Sequence, residues 1–201
     1  YKKKVILIEK EYTGGVCLNY GCISTKVYAY ASALLEKTKK AALYGISGSF
    51  DFQFQKLFLQ KNTTVEKLRM QLQSQLKLAQ VELMHAQASF GKDGKVRADN
   101  SVIEAENILL CLGSEAIPFP GLAFDHDLIL SNREILSLST LPKSIAIIGA
   151  GVIGCEFASL LSSFGVSVSM VEQKDRILPS QDAEISARLE RIFKKKDIKI
   201  Y

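Results

Sequence analysis

Cys17 and Cys22 lie five residues apart in "GGVCLNYGCISTK" (14–26), and Lys26 follows four residues after the second thiol. Two thiols at this spacing can form a structural disulfide, share a metal, or cycle as a redox pair. Four cysteines in a chain of 201 residues point to a reducing compartment, the cytoplasm or the mitochondrial matrix of a eukaryote, where lasting disulfides are uncommon. A zinc site takes four ligands, usually as two close pairs. Cys111 and Cys155 are isolated, and His85 and His126 stand alone, so no metal is expected. The redox pair is the reading that remains. Cys22 opens a helical pattern, so negative charge on its sulfur is favoured by the helix N-terminus. Lys26, one turn on, shares the face of Cys22. Cys17 falls in the preceding loop and is expected to be the more exposed partner.

A second constellation lies 130 residues downstream, in "SIAIIGAGVIGCEFASLLSSFGVSVSMVEQ" (144–173). Gly149, Gly151 and Gly154 form G-x-G-x-x-G directly after an apolar strand, and they open a helix carrying Phe157, Leu160, Leu161 and Phe164. In such a unit the first glycine permits the tight turn and the second lets backbone approach a pyrophosphate. The third allows close helix–strand packing. The anion sits at the helix N-terminus, on the N–H groups of residues such as Val152 and Ile153. Glu172 ends the next strand, where its carboxylate can accept from the 2′- and 3′-hydroxyls of a ribose. Glu156 falls in the first helical turn, a position that favours a carboxylate on electrostatic grounds alone.

The elements that position these groups follow from periodicity. "KVILIEK" (4–10) reads as a buried strand ending in an acid, Glu9, as the second strand of a nucleotide-binding βαβ unit does. A helical face runs from Cys22 to about Leu43 through Ile23, Val27, Ala31, Leu34 and Leu35, and Gly45 to Ser49 break it. A second helical stretch spans Leu57 to about Ala79, with Val65, Leu68, Leu72 and Leu76 as a core stripe. "VELMHAQASF", "GKVRAD" and "SVIEAENILLCLGS" read as strands of a meander, and "PFPG" (118–121) begins a loop.

Composition sets limits on function. The hydrophobic fraction of 47% and charged fraction of 23% are those of an ordinary globular protein. The apolar run near the start is too short for a signal peptide, and no run approaches a membrane span. The net charge of +5 comes from scattered lysines, with clusters at Lys2–Lys4 and Lys194–Lys196. No aromatic-rich basic stripe accompanies them, so neither nucleic acid nor membrane is expected as a partner.

Taken together, "GGVCLNYGCISTK", "GAGVIGCEFA" and "CLGSEAIPFPG" resemble the flavin-dependent pyridine nucleotide–disulfide oxidoreductases, over essentially the whole chain. Within that family the resemblance is strongest to the members that oxidise a dihydrolipoyl dithiol. It implies an α/β fold of two Rossmann-like FAD/NAD(P)-binding domains, both incomplete here, at 1–140 (FAD) and 141–201 (NAD). It implies FAD and NAD as cofactors, a lipoyl-bearing protein or small dithiol as substrate, and a homodimer formed through a C-terminal domain. Electrons would pass from the dithiol through a Cys17–Cys22 disulfide and FAD to NAD⁺. Glutathione- or mercuric-type reductases, and a truncated relative that only binds nucleotide, are the alternatives.

The resemblance also implies individual roles. Glu9 would hold the adenosine ribose of FAD, Ala86 would lie beside the adenine, and Thr13, Gly14, Gly15 and Cys17 would pass along the cofactor, with Gly113 and Ser114 forming a further turn against it. Cys22 would face the flavin, Cys17 would meet the substrate, and Lys26 would lie near the flavin N5 and pair with Glu156. Ser24 and Thr25 replace the family's usual proline and serine, Leu112 replaces a threonine, and Ala86 stands where relatives often carry glycine. The first FAD-domain strand with its glycine loop, and the later segments that supply the catalytic histidine, have no counterpart in these residues. The 201-residue piece alone is therefore expected to be inactive.

Overall fold

The structure is a computed structural model that describes residues 3–201; Tyr1 and Lys2, and with them part of the first lysine cluster, lie outside the described residues. Its described residues divide into two compact units, one made of residues 3–25 and Gln60–Ser137, the other of Lys26–Leu59 and Leu138–Tyr201. This differs from a single cut at 140, because residues 26–59 belong with the C-terminal unit. There Tyr28, Phe52 and Phe54 gather around Phe164, with ring centroids 6.0, 5.2 and 5.9 Å from it. Ser32 and Ser163 share a buried hydroxyl–hydroxyl hydrogen bond of 2.6 Å.

In the first unit, β1 (Ile6–Glu9) pairs in parallel with β2 (Glu82–His85), so that Glu9 stands opposite His85. The expected meander is thus shorter than the sequence pattern suggests. Only β3 (Ala88–Phe90), β4 (Val96–Ala98) and β5 (Ser101–Ile103) form it, antiparallel throughout, with Val96 and Ala98 buried. Alternation marks a strand but does not name its partner.

The third expected strand also ends early. Residues 104–114 have no regular structure, although "ILLCL" (108–112) has the apolar pattern of a strand buried on both faces. Such a run needs neighbours on both edges, and the sheet here consists of β1 and β2 alone. Leu109 and Leu112 are accordingly 86% and 84% exposed. Beyond them, the loop begun by Pro118–Gly121 closes on a single bridge between Phe119 and Leu122.

The short helices α1 (Gly15–Tyr20) and α4 (Asn132–Ser137) of this unit pack against each other. Ser131 and Glu134 cap α4 reciprocally: Ser131 Oγ accepts from Arg133 N–H at 3.2 Å, and Glu134 Oε2 accepts from Ser131 N–H at 2.7 Å. The long helices α2 (Cys22–Thr38) and α3 (Phe54–Leu78) form where the periodicity puts them, but α2 ends five residues before Leu43 and α3 begins three residues before Leu57. Between them Ala41–Tyr44 forms a 3₁₀ turn that Gly45 ends in the left-handed region, φ 73°. In the α3 part of this unit, buried Lys61 donates to the Leu136 carbonyl at 2.8 Å, and burial lowers its pKa. No helix among the described residues is long and apolar enough to cross a membrane.

The second unit is built on the parallel sheet β6 (Ser144–Ile148), β7 (Ser167–Val171), β8 (Lys199–Ile200), in that order, with β7 central. Helix α5 (Val152–Ser163) connects β6 to β7, which is the strand, glycine turn, helix, strand expected from the sequence. Helix α6 (Ala183–Lys195) starts at Asp182, whose side chain caps Glu184 N–H at 2.8 Å. Ala158, Leu161, Val168, Met170, Ile177 and Phe193 form the core between sheet and helices.

Candidate functional site

The first unit carries the thiols. Gly14 and Gly15 take positive φ values of 110° and 65°, turning the chain out of β1 and into α1. Cys17 therefore sits within a helix rather than a loop, which corrects the expectation from sequence. The cause is Asn19, a residue that the spacing of the thiols did not single out. Its buried amide donates to the carbonyls of Tyr12, Thr13 and Gly15 at 3.3, 3.3 and 2.9 Å, closing the turn into a short helix. Its oxygen accepts from Arg69 Nε and an Nη at 3.1 and 2.8 Å, while the guanidinium stacks 4.1 Å over the Tyr12 ring. The sequence carried only a faint signal, a lone asparagine in the six-residue stretch GVCLNY, too short for periodicity to show.

Gly21 breaks the chain between the helices, with φ −146° and ψ −114°, and Cys22 is the first residue of α2. Both cysteines are exposed. Thr13 is buried beneath the turn, within 3.5 Å of Gln73 Nε2. Glu9 and Ala86 meet at the ends of β1 and β2, where Ala86 N–H donates to the Glu9 carbonyl at 3.1 Å. One oxygen of the Glu9 side chain accepts from Glu11 N–H at 2.9 Å. Gly113, at φ 72°, lies against α1, since a Cβ there would stand 3.2 Å from Val16 Cγ2; Ser114 beside it is exposed.

Two buried hydroxyls of α2, Ser24 Oγ and Tyr28 Oη, have no hydrogen-bond partner, and burial raises the Tyr28 pKa to about 12. Lys26 and Glu156 are both exposed, and no ion pair joins them among the described residues. His85 is exposed, and His126 bonds Glu134 through Nδ1 at 3.0 Å. Among the described residues no cluster of histidine, cysteine and carboxylate side chains could hold a metal ion.

The second unit carries the dinucleotide loop, and its geometry fits the reading of the three glycines. Gly149 has φ 94°, a value that disfavours any side chain. Gly151 has nothing within 4 Å of where a Cβ would be, so its outer face is open to a ligand. Gly154 is the packing glycine: a Cβ there would stand 2.1 Å from the Gly149 carbonyl oxygen. Val152 and Ile153, in the first turn of α5, are exposed at 59% and 63%. Their backbone N–H groups belong to the unpaired set at a helix start, the donors a pyrophosphate needs.

Glu172 follows β7 directly. Its carboxylate accepts from Ala150 N–H at 2.7 Å and from Lys174 N–H at 3.0 Å, and these bonds hold its pKa below the usual carboxylate range. Cys155 is buried behind the loop, its thiol reaching the Ala150 carbonyl at 3.4 Å and its pKa raised by burial. The residues present thus fit a dinucleotide in the second unit: an open glycine, free helix N–H groups and an ionised acceptor. In the first unit they offer a ribose acceptor in Glu9 and the turn 13–17.

Known proteins with these features can now be set beside the chain. It is 34% identical to a dihydrolipoyl dehydrogenase of Acholeplasma laidlawii, covering 100% of this chain and 61% of the relative. It is 36% identical to dihydrolipoyl dehydrogenases of Bacillus subtilis and Chlamydia pneumoniae, covering 96% and 99% of this chain but 43% and 44% of the relatives. The chain therefore spans about half the length of these curated relatives. Among solved structures, the flavoprotein disulfide reductase RclA of Escherichia coli superposes with a TM-score of 0.82 at 26% identity, covering 99% of this chain and 43% of that one. LpdA of Mycobacterium tuberculosis superposes with a TM-score of 0.85 at 21% identity, over 100% and 45% of the two chains, a likeness of fold. The profile of one family matches residues 1–201. On that match, with its Rossmann-type unit and paired thiols, the chain belongs to the pyridine nucleotide–disulphide oxidoreductase family.

Proposed function

We propose that this chain supplies the redox dithiol and the dinucleotide loop of a dihydrolipoyl dehydrogenase, which moves an electron pair from a lipoyl dithiol to NAD⁺. One observation carries the reading: two exposed cysteines flank the helix break at Gly21, in a chain 34–36% identical to dihydrolipoyl dehydrogenases along its length. The family uses FAD and NAD; when bound, FAD supplies a two-electron carrier and NAD⁺ the final acceptor.

The work of the chain's own residues begins with Cys17 and Cys22 joined as a disulfide. A substrate thiolate attacks Cys17 Sγ, the Cys17–Cys22 bond breaks, and Cys22 leaves as thiolate. The second substrate thiolate attacks the substrate sulfur of that mixed disulfide. This closes the substrate disulfide and releases Cys17, which takes up one of the two protons the substrate has lost, while the other passes to solvent. Cys22 carries the remaining charge at the first residue of α2, where the helix N-terminus favours a negative charge. Thr13, Gly14, Gly15, Gly113 and Ser114 shape the flavin side, and Glu9 and Ala86 the adenosine end. Lys26 lies one helical turn beyond Cys22, and Glu156 stands just past the first turn of α5, not within it as the sequence pattern predicts. The substrate is a lipoyl-bearing protein or a small dithiol, and the working enzyme is a homodimer.

The test is a spectrum of the full-length flavoprotein. Reduction by one equivalent of dithiol is expected to give a long-wavelength thiolate-to-flavin absorbance. Cys17→Ser should keep that band in the resting protein and Cys22→Ser should lose it. The opposite result exchanges the two roles, and no band in any form removes the dithiol from the reaction.

A further inference from the structure

We infer that Glu172 holds the glycine loop in its binding shape, in addition to accepting hydrogen bonds from a ribose; the inference rests on the dinucleotide reading of this loop and deepens it. Ala150, the middle residue of the G-A-G turn, is fully buried. The peptides on either side of it are held by three hydrogen bonds. The N–H donates to Glu172 Oε2 at 2.7 Å, and the carbonyl accepts from Leu178 N–H at 2.8 Å and from the Cys155 thiol at 3.4 Å. Gly149 N–H is also used internally, on the Val171 carbonyl at 2.8 Å. The three peptides that leave β6, 148–149, 149–150 and 150–151, are thus anchored, and the loop presents its next N–H groups from a fixed base at the start of α5.

Glu172 is the acceptor for the buried Ala150 N–H, and its other oxygen accepts from Lys174 N–H at 3.0 Å. Each carboxylate oxygen keeps a second lone-pair direction for a sugar hydroxyl. A carboxylate suits this task where an amide does not. Glutamine has one acceptor oxygen for two backbone donors, so one N–H would face an NH₂ group. A hydrogen bond to a charged acceptor would be lost and a buried donor left unpaired, which distorts the turn that aims the following N–H groups. Ribose reading and phosphate reading are therefore coupled through one side chain.

The experiment compares two ligands by calorimetry on the full-length protein: NAD⁺, and an NAD⁺ analogue whose adenosine ribose lacks the 2′- and 3′-hydroxyls. Glu172→Gln should weaken the analogue by about tenfold, the cost of one charge-assisted hydrogen bond, and weaken NAD⁺ further. In the amide NMR spectrum the Ala150 N–H proton should move upfield in the variant. Loss of NAD⁺ affinity with unchanged affinity for the analogue, or an unmoved Ala150 resonance, would overturn the inference while leaving the nucleotide site standing. A wild-type protein that binds neither ligand would overturn the dinucleotide reading itself. If Glu172→Gln does not fold, Glu172→Asp serves instead. It keeps the charge but is one methylene too short to span both N–H groups, and it should weaken the analogue in the same direction.

Discussion

Replacing Gly154 by alanine tests the packing of the glycine loop directly. The new Cβ would stand 2.1 Å from the Gly149 carbonyl oxygen and 3.3 Å from Ile147 Cγ2, so α5 and the loop would have to separate by about an ångström. Overpacking costs about 1–3 kcal/mol, and the upper end applies because the blocking atom is backbone. Alanine in place of glycine near the start of a helix returns about 1 kcal/mol. The net loss is about 2 kcal/mol, a fall in Tm of about 4–8 °C for a chain of this size. Gly151→Ala is the control, since nothing lies within 4 Å of its Cβ position and its φ of −72° suits alanine. It should leave Tm unchanged to within about 0.5 kcal/mol of stability and still weaken NAD⁺, because its methyl occupies the ligand's approach. Thermal melts and NAD⁺ titrations of both variants decide it. A neutral Gly154→Ala, or a Gly151→Ala equally destabilised, would refute this assignment of the two glycines.

Tyr28→Phe removes a buried hydroxyl that has no partner, so stability should hold or rise by up to about 1 kcal/mol. Because folding raises the Tyr28 pKa to about 12, the stability its protonated form contributes is intact below about pH 10 and is lost as pH rises toward 12. Urea melts at stepped alkaline pH should therefore fall less steeply for Tyr28→Phe than for wild type; parallel curves would count against it. Asn19→Ala strips hydrogen bonds from three carbonyls and from Arg69, and should cost about 2–3 kcal/mol in urea unfolding, with a neutral result arguing that the turn is held otherwise. For the coenzyme, kcat/KM should favour NAD⁺ over NADP⁺, because the ionised Glu172 would meet the 2′-phosphate as a like charge, with Lys174 as the one nearby residue pulling the other way; equal values would sink this.

The second unit was the more legible in sequence, and the reason is local. A strand, three glycines and a helix within about thirty residues specify one another through short-range sterics, so the order strand, glycine turn, helix, strand and the packing role of Gly154 are legible directly. The first unit depends on distant pairings. β2 joins β1 across the whole of α2 and α3, and nothing in "ELMH" distinguishes that partner from the adjacent meander. Cys17 reads as a loop residue in the sequence because six residues are too few for periodicity to show; its helix comes from Asn19 bonding back to Tyr12, Thr13 and Gly15. The ionic bridge expected between Lys26 and Glu156 came from resemblance alone, and both side chains lie exposed without it. The assignment of residues 26–59 to the C-terminal unit was equally hidden, since the Ser32–Ser163 bond spans 131 positions.

That last arrangement has a consequence for how the chain is made. Residues 26–59 leave the ribosome early, but Phe164, the ring around which Tyr28, Phe52 and Phe54 gather, is translated later. At about 5–20 residues per second, the roughly 110 positions from Phe54 to Phe164 take on the order of 5–20 s to synthesise. For that interval three aromatic side chains are on the nascent chain with their partner not yet made. The completion of this unit is thus timed by elongation rather than by diffusion, and slower codons after position 60 would lengthen the period in which a chaperone can bind.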